Sequence, residues 1–160
     1  MIQEIGPKVF HNEYRQIKPN PGDILFAFRN KEVLAHLDED GRLSFPEASV
    51  AGEYQLQYLF QIDEQAFYLL IEEQELQAAG FQYEKTVLFR RTDPQDLCFA
   101  GMTAYHLYTW YRDNRFYGRC GHETEIYDTE RALRCPECGN LIYPKIAPAV
   151  IVGVTDGTRI

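Results

Sequence analysis

The stretch that decides how this chain folds reads Tyr117-Gly118-Arg119-Cys120-Gly121 and then Cys135-Pro136-Glu137-Cys138-Gly139. The second segment is a Cys-x-x-Cys turn followed by a glycine, which permits the positive φ that such a turn needs. Two thiolates at this spacing point at one metal ion. Cys120-Gly121 has the form of the second half of another such turn, and its separation from Cys135 suits a four-thiolate zinc ribbon. The position that would complete the first turn is occupied by Tyr117.

Composition and charge limit the possible partners and the compartment. The chain has 160 residues, of which 45% are hydrophobic and 25% charged, as in an ordinary globular protein of one or two domains. The net charge of −8 disfavours broad adhesion to nucleic acid or to an anionic membrane. No apolar run approaches the ~20 residues of a membrane span, and residues 1–5 lack the pattern of an export signal. Because three cysteines have metal-ligand spacing in such a chain, we expect a reducing cytoplasm and no membrane partner.

The first part of the chain predicts an α+β domain with a mostly antiparallel sheet. Residues 1–22 are expected to form an irregular arm that ends in a turn rich in proline and glycine. The alternation of apolar residues is strongest from Tyr54 to Ile62, and it predicts a strand of a sheet that packs on one face. Further strands are expected at 23–28, 33–35, 43–45 and 67–71, with turns at 29–32 and 63–65.

Helices are expected to accompany this sheet. A short helix is predicted at 72–79, closed by Gly80. A longer one should begin at Asp93-Pro94, with Asp93 as N-cap, and continue to about Asn114. Its buried stripe is expected to consist of Leu97, Ala100, Ala104, Leu107 and Tyr111.

Later segments complete the predicted domain organisation. The cysteine-containing module has too few residues for a core of its own, and chains below ~40 residues usually need a metal or a disulfide to fold. The β-rich run 150–154 and the turn signal Asp156-Gly157 predict the start of a hairpin, at which the sequence stops. We therefore expect a truncated final domain. The four parts are an N-terminal domain at 1–93, a connecting helix at 94–116, a zinc-ribbon-like module at 117–142 and this truncated start at 143–160.

The motifs resemble those of the NADH pyrophosphatases, which are NAD(H) diphosphatases of the Nudix hydrolase superfamily. The resemblance is to the N-terminal and zinc-ribbon part only, and it implies that the last residues carry the first strand of a Nudix domain. The matching segments are Phe116 to His122, Thr129-Glu130, Cys135 to Gly139, Tyr143-Pro144-Lys145 and Pro148 to Val152.

The resemblance implies an activity and a set of partners. The family hydrolyses the diphosphate of NADH to nicotinamide mononucleotide and AMP, and some members remove NAD caps from RNA. It forms homodimers and uses Mg²⁺ or Mn²⁺, which draw charge from the diphosphate oxygens and activate water. A structural zinc ion is implied for the ribbon.

The resemblance also implies site residues. Glu130 and Tyr143 match family residues near the nicotinamide end of the ligand, where Tyr143 would stack on a ring and Glu130 would accept a hydrogen bond. Arg90 lies roughly where the family has a phosphate-contacting arginine, and an arginine fork suits a diphosphate. The expected zinc ligands are Cys120, Cys135 and Cys138.

Tyr117 departs from the family pattern at the first zinc cysteine. A tyrosine hydroxyl is a poor zinc ligand beside thiolates because its pKa is near ~10. Three outcomes are open: zinc is held by three cysteines with His122, Cys98 or water as the fourth ligand, it is bound weakly, or it is absent and Tyr117 packs in its place. An open zinc position is also typical of catalytic zinc. Cys98 is more simply interpreted as a small buried residue of the long helix.

The sequence also departs from the family by lacking the glutamate-rich Nudix box, whose carboxylates hold the catalytic metals in the family. This chain alone is therefore expected not to hydrolyse NADH, and to be an expression fragment rather than a separate truncated gene product. The alternative is a non-catalytic ribbon that binds RNA or protein, or that serves as a dimerisation unit. A glutamate-rich box after Ile160 in the gene would favour the enzyme, and a stop codon would favour the alternative. Local contact with RNA would rest on Arg112, Arg115, Arg119, Arg131 and Arg134.

Overall fold

A computed structural model describes residues 2–71, 75–145, 150–153 and 157. It has an α+β fold with a mostly antiparallel sheet, as the sequence predicts, and one α-helix among the described residues. The helix α1 is Gln95–Asp113, and 3₁₀ turns lie at Ala48–Ala51 and Thr86–Arg90. The strands are β1 Phe10–His11, β2 Ile24–Arg29, β3 Glu32–Leu37, β4 Leu43–Ser44, β5 Leu56–Ile62, β6 Gln65–Leu70, β7 Gln82–Lys85, β8 Glu125–Ile126, β9 Leu133–Arg134 and β10 Leu141–Ile142.

The first seven strands form one sheet. Their order is β1-β5-β6-β2-β3-β4, and β7 also pairs with β3. Among the strand pairs that the structure describes, β2 with β6 is the one parallel pair. Tight turns join β2 to β3 and β5 to β6, and their first residues, Asn30 and Asp63, adopt positive φ of 56° and 49°. Short polar side chains tolerate this conformation, which explains why the turns lie where the sequence places them.

The sheet is buried on both faces, so the prediction that it packs on one face is wrong. Helix α1 covers one face, where Phe26, Phe67 and Leu69 join its buried stripe. On the opposite face, Leu25 and Leu70 belong to a smaller cluster, and the N-terminal arm accepts a hydrogen bond there from the Tyr68 hydroxyl. Residues 24–28 of β2 and 66–70 of β6 are therefore an uninterrupted run of aliphatic and aromatic side chains.

A β-bulge in β5 changes which face each side chain joins. The pairing of β5 with β6 shifts between Tyr58 and Phe60, so that Leu59 is the additional residue. Leu59 and Phe60 both lie in the core beneath α1, whereas Tyr58 lies in the cluster on the opposite face. The apolar alternation from Tyr54 to Ile62 therefore does not belong to one face, because an inserted residue reverses the alternation.

The helix predicted at 72–79 is not formed in the part of that segment that the structure describes; residues 72–74 lie outside it. Residues 75–78 have no regular structure. The backbone N–H of Leu76 donates to the hydroxyl of Tyr83 (3.1 Å), and Glu75 forms an ion pair with Arg29 (2.5 Å). The backbone N–H of Leu76, which a helix would pair internally, instead bonds with a side chain of β7. Tertiary contacts therefore override the local helix propensity of this segment.

Helix α1 carries the predicted stripe, and Ala100, Ala104, Leu107 and Tyr111 are buried. The prediction of Asp93 as N-cap is wrong. The helix begins at Gln95 after Pro94, without a side-chain cap, and the carbonyl of Asp93 instead accepts a hydrogen bond from the N–H of Leu43. This bond ties the start of the helix to the edge strand β4.

The ribbon follows α1 as a separate three-stranded antiparallel sheet in the order β10-β9-β8. Leu133 of β9 is buried in the core beneath α1, and Ile142 of β10 packs against that core. Residues 150–153 form no strand; the remainder of the strand and turn predicted at 150–157, apart from Gly157, lies outside the described residues. No helix of the described part is both long and apolar enough to cross a bilayer.

Candidate functional site

Two turns of the ribbon have the same backbone geometry. In the turn that begins at Cys135, the first residue accepts a hydrogen bond from the glycine N–H four residues on (2.9 Å) and donates one to the carbonyl five residues on (2.9 Å). The turn that begins at Tyr117 makes the same two bonds, each 2.8 Å long. Their glycines, Gly121 and Gly139, have φ of 74° and 72°. Tyr117 therefore holds the backbone position that Cys135 holds in the other turn.

Three thiol groups meet between these turns. The sulfur atoms of Cys120, Cys135 and Cys138 all lie within 4.8 Å of one another, and those of Cys120 and Cys135 are 3.4 Å apart. Cys135 is buried, Cys120 is half-buried and Cys138 is exposed. The centre therefore lies at the surface of the ribbon and opens towards solvent.

Backbone N–H groups act to lower the pKa of two of these thiols, those of Cys135 and Cys120. The backbone N–H of Cys138 is the main cause that lowers the pKa of Cys135. The N–H of His122 acts in the same direction on Cys120, but burial and the two neighbouring thiols raise the pKa of Cys120 overall. Close thiols cannot all ionise without a cation, and N–H groups aimed at sulfur are the usual surroundings of a bound metal.

The donor set fits zinc. Zinc in structural sites prefers thiolates at about 2.3 Å, arranged tetrahedrally from two turns of this kind. The three cysteines are free thiols, and their convergence in a ribbon supports zinc binding. Cys120, Cys135 and Cys138 are the residues that would hold the ion, and zinc would fix the two turns to each other.

The other side chains considered as a fourth ligand lie outside this group. Cys98 is buried in α1, and its sulfur lies 3.2 Å from both the hydroxyl and the carbonyl oxygen of Thr92. This confirms its interpretation as a small buried residue, and burial raises the pKa of its thiol. His122 is exposed. Among the residues that the structure describes, no His, Asp or Glu joins the three thiols as a further donor.

Glu130 and Tyr143, the two residues matched to the nicotinamide end of the ligand, lie together. The hydroxyl of Tyr143 donates to a carboxylate oxygen of Glu130 (2.8 Å), and this bond is the main cause that raises the pKa of Tyr143. The Tyr143 side chain is 46% exposed. An accessible aromatic ring beside a carboxylate suits a flat ligand that carries hydrogen-bond donors.

Arg90, the third residue matched to the ligand, lies at the end of the 3₁₀ turn that follows β7. Its side chain is exposed, and it has no side-chain hydrogen bond or ion pair within the described ranges. The structure therefore leaves its guanidinium available for an anion.

Arg131 is a residue whose role the sequence does not reveal. Its guanidinium donates to the side-chain oxygen of Asn12 (2.7 Å) and to the carbonyl oxygen of Leu59, the bulge residue of β5. Burial lowers the pKa of Arg131. This side chain joins the ribbon to the N-terminal sheet, and it is not a surface contact for RNA.

Most of the other arginines of the ribbon region also have acidic partners. Ion pairs join Arg112 to Asp113 (2.8 Å), Arg115 to Glu123 (3.0 Å) and Arg134 to Glu125 (2.5 Å). The cluster of arginines in the sequence is therefore largely neutralised at the surface, which weakens the case for RNA binding.

A cavity of about 600 Å³ lies where α1, the end of β6 and the ribbon meet. Its walls combine tyrosine rings and aliphatic side chains with Arg112 and Arg115, two of the three arginines that form ion pairs. The lining residues are Leu69, Ile71, Tyr108, Tyr111, Arg112, Arg115, Glu123, Thr124, Ile126 and Leu133.

Comparison with known proteins bears on the ribbon. The family model described as the NADH pyrophosphatase zinc ribbon domain matches residues 112–143. The chain is similar to proteins named NAD-capped RNA hydrolase NudC. It is 38% identical over 68 residues to that of Pseudomonas aeruginosa, which is 42% of this chain and 24% of that protein. For Deinococcus radiodurans the identity is 42% over 59 residues, covering 37% of this chain and 21% of the relative. For Yersinia pestis it is 47% over 51 residues, covering 32% and 20%.

The matches therefore span about a quarter or less of the length of these relatives. The family model covers the region in which the two turns, the three thiols and the Glu130–Tyr143 pair lie. Together with the geometry of the ribbon, the comparisons confirm the resemblance inferred from the motifs: residues 112–143 are similar to the zinc ribbon domain of the NADH pyrophosphatases.

Proposed function

We propose that this chain is the N-terminal and zinc-ribbon part of an NAD(H) diphosphatase, which hydrolyses NADH or NAD to nicotinamide mononucleotide and AMP. The observation that carries the proposal is the match of residues 112–143 to the ribbon of this family, within which Glu130 and Tyr143 form a hydrogen-bonded pair. In this proposal residues 143–160 belong to the start of a Nudix domain.

The substrate class follows from this pair and from the relatives. Tyr143 offers a ring face for the nicotinamide, and Glu130 accepts a hydrogen bond from its amide or from the ribose once the Tyr143 hydroxyl turns away. Arg90 supplies a fork for the diphosphate. The relatives are named for NAD-capped RNA, so the proposed substrate is a nicotinamide dinucleotide, either free or at the end of an RNA.

Metals have two roles in this proposal. Zinc is structural and is held by Cys120, Cys135 and Cys138, with Tyr117 in the place of the fourth cysteine. Mg²⁺ or Mn²⁺ would be held by the carboxylates of a Nudix box beyond this chain, where it would polarise the diphosphate. In this proposal Glu130 and Tyr143 bind and orient the nicotinamide end of the substrate.

The proposed protein is a cytoplasmic homodimer. Four free thiols suit a reducing compartment. Apolar side chains exposed around the ribbon, Phe116 at 57% and Ile126 at 38%, suit burial against a second subunit. The same exposed residues favour the second candidate, a dimerisation or binding module without catalysis.

Ligand binding tests the site. Nicotinamide mononucleotide added to the zinc-loaded chain should shift the amide NMR signals of Glu130 and Tyr143, and AMP should shift them much less. Glu130→Gln should weaken binding about tenfold, the loss of one charge-assisted hydrogen bond. Glu125→Gln, which removes a carboxylate from the same ribbon at an existing ion pair, is the control and should leave binding unchanged. Equal effects of the two substitutions would contradict the assignment.

Hydrolysis assays test whether the catalytic residues lie outside the 160-residue chain. The 160-residue chain with NADH and Mg²⁺ should release no AMP, whereas a gene product that continues past Ile160 into a glutamate-rich box should release AMP and nicotinamide mononucleotide. AMP release by the 160-residue chain would contradict the placement of catalysis outside it. A stop codon directly after Ile160, with dimers that dissociate on Ile126→Asp, would favour the second candidate.

A further inference from the structure

The two turns of the ribbon direct four positions at one point, but only three of them carry sulfur. The turn that begins at Tyr117 reproduces both hydrogen bonds and the glycine conformation of the turn that begins at Cys135. The backbone therefore presents the Cβ of Tyr117 where a fourth thiolate would start. The geometry of a complete zinc ribbon is retained, and one donor is missing from it.

Tyr117 cannot supply this donor from its position. Its phenolic oxygen lies much further from Cβ than a cysteine sulfur does, so it would have to pass beyond an ion held by three thiolates. His122 and Cys98 are outside the group of donors, and no further His, Cys, Asp or Glu of the described ranges belongs to it.

We propose that the ribbon holds zinc with three thiolates and leaves the fourth coordination position to an exchangeable small thiol from solution. This deepens the zinc assignment of the proposed function and rests on it. Zinc is four-coordinate and accepts sulfur readily, so a ligand from outside must complete the site. A small thiol binds as its thiolate, releases its proton to solvent and displaces solvent from the ion.

Exposure allows this exchange. Cys138 is exposed and Cys120 is half-buried, so the ion would lie within reach of solution rather than inside a core. Tyr117 itself is only half-buried. A thiol of low molecular weight can therefore approach on the side of Tyr117, where the chain contributes no donor.

Cobalt(II) in place of zinc reports the ligands through its visible absorption. In the 160-residue chain loaded with cobalt(II), added 2-mercaptoethanol should shift the d–d bands and strengthen the sulfur-to-metal absorption, saturating at one equivalent bound. Tyr117→Cys should show the saturated spectrum without added thiol and should not respond to it. Zinc should bind Tyr117→Cys about a hundredfold more tightly in chelator competition, which corresponds to one quarter of the binding free energy of a typical four-ligand module.

Two variants test whether a side chain of the protein is the fourth ligand. Tyr117→Phe and His122→Ala should both match the unmodified chain in their spectra and in their response to thiol. A spectrum that ignores added thiol would overturn the proposal because water or a protein group would then keep the fourth position. A spectrum that changes in either variant would overturn it because a protein group would then be the ligand. Failure of the folded chain to bind cobalt(II) or zinc would overturn the zinc assignment as well, and the nicotinamide-binding test would then be made on the folded chain without metal, so that the two assignments fail separately.

Discussion

Replacement of Arg131 by methionine should loosen the ribbon from the N-terminal sheet. Methionine keeps most of the aliphatic stem, so the loss is confined to the guanidinium and its bonds to Asn12 and to the carbonyl of Leu59. The β-bulge places that carbonyl outside the regular ladder, and Arg131 is the partner that the structure gives it.

The magnitude follows from hydrogen bonding. A hydrogen bond to a charged group contributes about 1.5–3 kcal/mol, and a buried carbonyl left without a partner adds a penalty of about 1–3 kcal/mol. Because these effects overlap, we expect Arg131→Met to lower the free energy of unfolding by about 2–4 kcal/mol. For a chain of this length that corresponds to a fall in Tm of roughly 5–15 °C.

Thermal unfolding of the zinc-loaded chain measures this effect through the fluorescence of Trp110, the single tryptophan. Arg134→Met is the matched control. It removes an arginine from the same ribbon, but Arg134 and its partner Glu125 are each 48% exposed, and such a pair contributes ~1 kcal/mol or less. If the two variants lower Tm equally, the reasoning that Arg131 joins the ribbon to the sheet is refuted.

Three further predictions concern the ribbon, the helix and the sheet. Cys138→Ser should abolish zinc binding and unfold the ribbon while the N-terminal sheet persists. Elemental analysis measures the zinc content, and amide hydrogen exchange measures which part of the chain remains folded. A ribbon whose amides stay protected from exchange in this variant would contradict the prediction. Gly101→Ala should lower the free energy of unfolding by about 1–3 kcal/mol, because the new Cβ would collide with the ring of Phe89. Gly118→Ala is the control and should change the free energy of unfolding little, because its Cβ would meet nothing within 4 Å. Denaturant titration of both variants measures the two effects, and equal effects would contradict the prediction. Burial raises the pKa of Tyr68 to about 12, so the stability that its neutral hydroxyl provides is complete below pH ~10 and is lost as the pH rises through 12. Tyr68→Phe should reduce this loss of stability in alkaline denaturation curves. An unchanged curve would contradict the prediction.

Local chemistry made much of the fold predictable. The turns at Asn30 and Asp63 and the stripe of α1 were placed correctly because short polar residues tolerate positive φ and a 3.6-residue period marks a buried helix face. The segment 72–79 was predicted as a helix, and its described part is not one, because its partners come from strands that are remote in sequence.

The sequence by itself determined the ribbon. Cysteine and glycine at fixed spacing dictate two turns through bonds between residues four and five positions apart, so no distant contact is needed to place Cys120, Cys135 and Cys138. Tyr117 was visible as a departure for the same reason. The motifs around these turns were also sufficient for the resemblance that the comparisons confirm.

Only the tertiary structure decided how the ribbon joins the rest of the chain. The sequence does not distinguish Arg131 from Arg134, although Arg131 is half-buried against the N-terminal sheet and Arg134 is exposed. The difference arises because the pairing of β5 with β6 skips Leu59, which frees a carbonyl 72 residues away in the sequence. Strand register depends on the partner strand, so one strand's own sequence cannot show which of its backbone groups remains unpaired.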